Sequence, residues 1–210
     1  MQAFAADTNE SLLVATSVAA LVGVLHTLAG PDHWLPFVEI AREQRTGTRR
    51  LVRLVLLCGA LHCLSSVVLA MLGVALGEAL TAFTELNEAR GFLAGLALMV
   101  LGIFLLFPRG FVARGSRPRR TGFWMVLVFV LGPCEWLVPF AMAAAVRHGP
   151  AGLVAVASSF SFATVATMLC ATLSAVGLLS PLFERVGERR ARLLSAGLVI
   201  ASGALVLCGF

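Results

Sequence analysis

Six side chains that can bind metals or carry protons occur within strongly apolar stretches of this 210-residue chain. They are His26, Asp32, His33, His62, Cys134 and Glu135. Imidazole suits nickel, copper and zinc, and thiolate favours the softer ions. A metal site and a proton pathway, with the two carboxylates paired to His33, both fit this set of groups.

The composition determines which environment surrounds these groups. Hydrophobic residues make up 59% of the chain, charged residues only 13%, and the mean hydropathy is +0.94. Soluble globular proteins carry about 25% charged residues. A soluble domain, a nucleic-acid-binding protein and a disordered tail are therefore excluded. The net charge of +5 accordingly does not indicate a nucleic-acid partner.

Six apolar stretches are long enough to cross a membrane, which takes about 20 residues in a helix. They cover approximately residues 11–28, 51–76, 91–107, 123–146, 151–179 and 193–208. The sequence therefore predicts an all-α, polytopic membrane protein with six transmembrane helices. A single transmembrane domain is expected to cover residues 1–210.

The arginines predict the orientation in the membrane. Three loops, at 42–53, 109–120 and 185–192, contain 14 of the 16 arginines. Cytoplasmic loops of membrane proteins carry an excess of basic residues. We therefore expect these loops in the cytoplasm and both termini outside, in a multi-pass protein of a bacterial cytoplasmic (inner) membrane.

Two segments resemble each other, GPDHWLPF from Gly30 and GPCEWLVPF from Gly132, at a separation of 102 residues. The chain is therefore interpreted as two three-helix repeats, about 11–107 and about 113–210. Because three is odd, the second repeat would be inverted in the membrane. Inverted repeats are typical of transporters whose substrate site lies near the membrane midplane.

Each of these segments begins with a Gly-Pro pair that predicts a broken helix. Proline lacks a backbone donor and clashes with the preceding turn, and glycine loosens the helix further. Helices one and four are expected to break at Gly30–Pro31 and Gly132–Pro133. Broken backbone at membrane depth is tolerated where it is buried in protein or lines a cavity.

Five further residues are predicted to line the pathway. Trp34 and Trp136 follow the two breaks and are expected to wall the cavity, and Ser65 lies near the middle of helix two. At the repeat offset Ser65 corresponds to Thr167, which shares a polar stripe on helix five with Thr164. The alternative is that this stripe lets neighbouring helices approach closely.

The segment HTLAGPDHWLPF resembles the histidine-rich first-helix motif of the nickel/cobalt transporter superfamily, above all its urease-accessory, UreH-like transmembrane branch. In that branch a His, a Gly-Pro and an Asp-His occur in this order. Five residues separate His26 from Asp32, whereas the typical nickel/cobalt permease has four. CGALHCLSS and GPCEWLVP resemble the second-helix and fourth-helix motifs of the same branch.

The resemblance implies a transporter, not an enzyme, that moves a divalent transition metal, with nickel as the first choice and cobalt or zinc as alternatives. The metal-interacting positions that it implies are His26, Asp32, His33 and His62, with Cys134 and Glu135 in the second-half motif. No permanently bound cofactor is expected. The expected partners are the lipid bilayer, the metal ion, and either further copies of the chain or a metal-delivery protein.

Two other functions remain open. Thiol-electron transporters also have inverted three-helix repeats, with a cysteine in helix one and another in helix four. Here helix four has Cys134 but helix one has Asp32, so Cys58 or Cys63 would have to supply the second thiol. A sulfite-type anion exporter would seat its anion at half-helix N-termini, where Asp32 and Glu135 would repel it unless protonated.

Overall fold

The apolar runs of this chain fold into α-helices, which satisfy every backbone N–H and C=O within one segment. A computed structural model describes residues 2–43, 46–76, 80–106, 126, 129–130, 132, 134 and 136–208. Its helices are α1 (Gln2–Ala29), α2 (Leu35–Glu43), α3 (Thr48–Leu76), α4 (Leu80–Leu106), α5 (Leu137–Val186) and α6 (Glu188–Leu207). The described residues include no strand, which confirms the all-α prediction.

The surface of the helices is apolar and part of the interior is polar. Val146 and Phe162 are 84% and 79% exposed, whereas Thr27 and Ser66 are fully buried and His62 nearly so. Soluble proteins rarely expose large apolar patches. Three helical stretches are long and apolar enough to cross a bilayer, Ser11–Ala29, Thr48–Ala75 and Leu137–Leu178. These stretches are consistent with membrane insertion.

The first predicted break is confirmed. Helix α1 ends at Ala29, Gly30 is extended (φ −92°, ψ 95°), and Pro31–His33 form a single 3-10 turn. Helix α2 then begins at Leu35. The chain therefore leaves the helical path at the Gly-Pro pair and resumes it five residues later, which turns the side chains of the break towards the neighbouring helices.

Described residues on either side of the second Gly-Pro pair show a similar interruption. Val130 is helical, Gly132 lies in a bend, and Cys134 lies outside any helix. Helix α5 begins at Leu137, whose N–H donates to the Cys134 carbonyl at 3.0 Å. Pro133 and Glu135 lie outside the described residues.

The predicted fourth and fifth helices meet inside α5. Helix α5 is 50 residues long, and Gly149 within it has non-helical angles (φ 64°, ψ −162°). Such angles are almost restricted to glycine, and Pro150 next to it has no N–H to continue the ladder. This kink divides α5 between residues 148 and 150, where the sequence predicts one helix to end and the next to begin.

Small residues let the helices approach closely. Helices α1 and α3 pack on α5, and α4 packs on α6. A Cβ atom on Gly203 of α6 would lie 2.8 Å from the Gly95 carbonyl oxygen of α4. A Cβ atom on Gly23 of α1 would lie 2.9 Å from the Phe160 carbonyl oxygen of α5. Backbone contacts of this kind are typical of membrane helix pairs.

One buried carboxylate was not expected from the sequence. Glu39 of α2 is fully buried, accepts a hydrogen bond from the Ser195 hydroxyl of α6, and lies 3.7 Å from the Arg42 guanidinium. A buried acid needs such partners because an isolated charge is strongly disfavoured in an apolar interior. The network joins α2 to α6 next to the first break.

Candidate metal site

Three histidine rings lie side by side where the first break meets α3. The ring centroids of His26 and His33 are 4.6 Å apart with planes at 78°, and those of His33 and His62 are 5.2 Å apart at 83°. His26 lies in the last turn of α1, His33 in the 3-10 turn and His62 in the middle of α3. The break therefore assembles the rings, since it places His33 between the other two.

The hydrogen bonds of the rings leave one nitrogen of each without a protein partner. His62 Nδ1 lies 3.1 Å from the Phe129 carbonyl oxygen. A carbonyl only accepts, so Nδ1 carries the proton and Nε2 of a neutral ring presents a lone pair. His33 Nδ1 lies 3.3 Å from both the Gly30 carbonyl oxygen and the Asp32 carboxylate. The Nε2 atoms of His26, His33 and His62 are buried without a hydrogen-bond partner.

This arrangement is the one that metal-binding histidines use. A ligating imidazole commonly donates its other N–H to a carbonyl or carboxylate, which fixes the tautomer and the ring orientation. A buried polar atom left unsatisfied costs about 1–3 kcal/mol. A cation bound in the cluster would satisfy nitrogens of this kind.

Cys134 of the second break completes a three-residue ligand group. The ligand atoms of His26, His62 and Cys134 all lie within 4.8 Å of one another, and Cys134 is fully buried. The Cys134 N–H donates to the Ser66 hydroxyl at 3.0 Å. The two breaks therefore meet at α3, and each contributes a potential ligand.

Two cavities that share several lining residues border the cluster. The larger, of about 460 Å³, is lined by His26, Asp32, His33, His62 and Trp136 among others. A small pocket of about 30 Å³ is lined by Asp32, His33, His62, Ala94, Leu98, Phe129 and Gly132. The small pocket has room for a single water or ion. Asp32 borders both cavities, where its carboxylate can offset the charge of a divalent cation.

The structure brings together five of the six predicted ligands, and the sixth, Glu135, lies outside the described residues. Of the predicted pathway residues, Trp136 lines the larger cavity, whereas Trp34, Ser65, Thr164 and Thr167 line neither. Trp34 packs against Leu35, Leu98 and Val199. Thr164 is buried beside Gly23, Ser65 donates to the His62 carbonyl at 2.8 Å, and Thr167 is half-buried on α5.

Two contributors to the site were missed by the sequence reasoning. Ser66 lies four residues after His62, so its position on the same helical face was readable from the sequence. The Phe129 carbonyl that orients His62 has no sequence signal, because any residue type offers a backbone acceptor.

Comparison of the chain with protein-family models, with curated proteins and with solved structures finds no match.

Proposed function

We propose that this chain is an integral membrane transporter of a divalent transition metal ion, with nickel as the first substrate and cobalt or zinc as alternatives. One observation carries the proposal. Buried, unpartnered imidazole nitrogens converge with a buried thiol at two helix breaks, inside a helical protein with an apolar surface. In a membrane, ionisable groups in such a place generally mark a substrate or ion pathway.

The ligand types indicate the class of ion. Two imidazoles and a thiol within 4.8 Å suit nickel, cobalt and zinc, whereas magnesium and calcium prefer all-oxygen ligands. His33 and Asp32 lie beside this group and would receive the ion as it moves. Glu135 follows Cys134 in the chain and would supply a second carboxylate.

We also propose six membrane crossings in two inverted repeats, with both termini outside a bacterial cytoplasmic membrane. The starts of α2 at Leu35 and of α5 at Leu137 support the repeat, because they are separated by the same 102 residues as the two Gly-Pro pairs.

Helix lengths support the number of crossings. The kink at Gly149 divides the apolar stretch Leu137–Leu178 of α5 into 12 residues before it and 29 after it. The later part is about 44 Å long at 1.5 Å per residue and would supply one crossing, and the earlier part would be the second half of the crossing interrupted at Gly132–Pro133. Helices α4 and α6, whose apolar parts Phe92–Ile103 and Arg192–Leu207 are shorter, would supply two further crossings.

Cellular nickel content tests the function. We expect cells that express the wild-type chain to differ in nickel content from cells without it, upwards for import or downwards for export. His33→Ala and Asp32→Asn should abolish the difference, while immunoblots show normal amounts in the membrane. Ser17→Ala is the control, because this exposed hydroxyl donates a hydrogen bond to the Leu13 carbonyl within α1, away from the site. Wild-type behaviour of both site variants would contradict the proposed site.

A further inference from the structure

We propose that Ser66 is a positioning residue that sets the ion preference of this site, by holding Cys134 within coordinating reach of the imidazoles. The inference rests on the metal site described under the proposed function. Ser66 touches neither the cavities nor, in this scheme, the ion. It acts through the backbone of Cys134.

The contacts of Ser66 join the second break to α3. Ser66 is fully buried, accepts a hydrogen bond from the Cys134 N–H at 3.0 Å, and donates to the His62 carbonyl at 3.3 Å. A hydroxyl has one proton and two lone pairs, so it can make both bonds at once. Cys134 precedes α5 and lies outside any helix, where a backbone N–H has no intrahelical acceptor. The Ser66 side chain supplies that acceptor from another helix.

A second hydrogen bond, one helical turn away on α3, holds Phe129. The His62 Nδ1–H donates to the Phe129 carbonyl at 3.1 Å. His62 and Ser66 are separated by about 6 Å along α3, and their partners lie five residues apart along the chain. Phe129 and Cys134 are therefore each hydrogen-bonded to a side chain of α3.

Loss of the Ser66 hydroxyl would remove the hydrogen bond that attaches the Cys134 backbone to α3 and would let the thiol shift relative to the His62 ring. Metal–ligand distances tolerate only about 0.2 Å of variation, so a displacement of an ångström removes the thiolate from the coordination shell. Nitrogen and oxygen ligands would then remain. Since thiolate favours softer ions, the ion preference would move towards harder ones.

Cobalt(II) is a suitable probe because thiolate-to-cobalt charge transfer reports the Cys134 ligand separately from the histidines. Purified full-length protein would be titrated with cobalt chloride and followed in the near-ultraviolet and the visible. In Ser66→Ala we expect most of the charge-transfer band to be lost, with visible bands from the remaining ligands. Affinity should fall by roughly 10–100-fold, as for other outer-shell partners of metal ligands.

Matched variants separate positioning from general destabilisation. Ser66→Thr keeps the hydroxyl and should show the charge-transfer band. Ser66→Val has the shape of threonine without the hydroxyl and should lack the band. This pair decides the question if Ser66→Ala does not fold. Ser65→Ala is the neighbouring control, since this hydroxyl also donates to the His62 carbonyl, and it should behave as wild type.

Three results would overturn the inference: a full band and wild-type affinity in Ser66→Ala, equal spectra for the Thr and Val variants, or an equal loss in Ser65→Ala. If the wild-type protein shows no thiolate band, Cys134 is not a ligand, and the proposed role of Ser66 is contradicted with it. A normal band in a protein that moves no metal would instead contradict the proposed transport and leave the role of Ser66 supported.

Discussion

At the scale of single residues, hydrogen bonds to the backbone decide which atoms can bind a metal. The Phe129 carbonyl holds the proton of His62 on Nδ1, and the Gly30 carbonyl with Asp32 does the same for His33. Both Nε2 atoms are therefore available as ligands. The residue types were predictable from the sequence, but the tautomers were not, since they depend on a carbonyl 67 positions away from His62.

Replacing Cys134 by serine distinguishes metal handling from thiol redox chemistry. We expect Cys134→Ser to retain metal transport. Transport of the softer ions should fall more than transport of the harder ones, because oxygen is a harder ligand than thiolate. The measurement is a flux assay with several ions in competition. Cys170→Ser is the control, since Cys170 is an exposed thiol on α5.

A thiol-electron transporter would behave differently. Its Cys134→Ser variant would lose all activity, because the thiolate is the reacting group. Its Cys134 would also be trapped in a disulfide with Cys58 or Cys63 after acid quenching and alkylation. All five cysteines are thiols in the structure. Detection of that disulfide together with an inactive serine variant would replace the metal-transport proposal.

At the scale of secondary structure, the breaks were predictable and their partners were not. Gly-Pro pairs locate the interruption before α2 because they act locally on the backbone. Trp34 and Trp136 occupy similar sequence positions, yet only Trp136 lines the cavity. That difference comes from packing against α4 and α6, which no local pattern reports.

The kink in α5 should depend on Gly149. Its angles of φ 64° and ψ −162° are essentially restricted to glycine. We expect Gly149→Ala to destabilise the protein by about 1–3 kcal/mol, as is usual for strained backbone. Thermal unfolding in detergent measures the change, with Gly177→Ala of α5 as the control because no atom surrounds the added methyl group. Equal stability of the two variants would show that the kink tolerates a side chain.

At the scale of the whole molecule, large apolar side chains face outwards and several polar side chains are buried. Leu13 and Phe162 are exposed, while Ser66, Thr172 and Glu39 are buried. The composition predicted a membrane protein, and the exposed apolar side chains are consistent with one. Composition does not predict which buried polar groups meet, and Glu39 with Ser195 is the clearest example, because 156 positions separate them.

The proposed orientation rests on the arginine-rich loops and can be measured by labelling. We expect Gly47→Cys and Ser116→Cys to be protected from an impermeant thiol reagent in intact cells and to react after the cells are opened, because basic loops remain in the cytoplasm. Gly47 is exposed in the structure, and position 116 lies outside the described residues. Replacing the exposed Cys170 and Cys208 by serine removes background labelling. Reaction of both sites from outside would reverse the proposed topology.

Metal flux in proteoliposomes tests the central claim most directly. Purified protein would be reconstituted and challenged with nickel, cobalt, zinc and magnesium, each with and without a pH gradient. We expect saturable nickel flux, measurable cobalt or zinc flux and no magnesium flux, since the ligand set contains imidazole and thiol. His33→Ala should lose this flux. Flux no greater than that of empty liposomes, for every ion and under both conditions, would contradict the proposal that this protein transports metal ions.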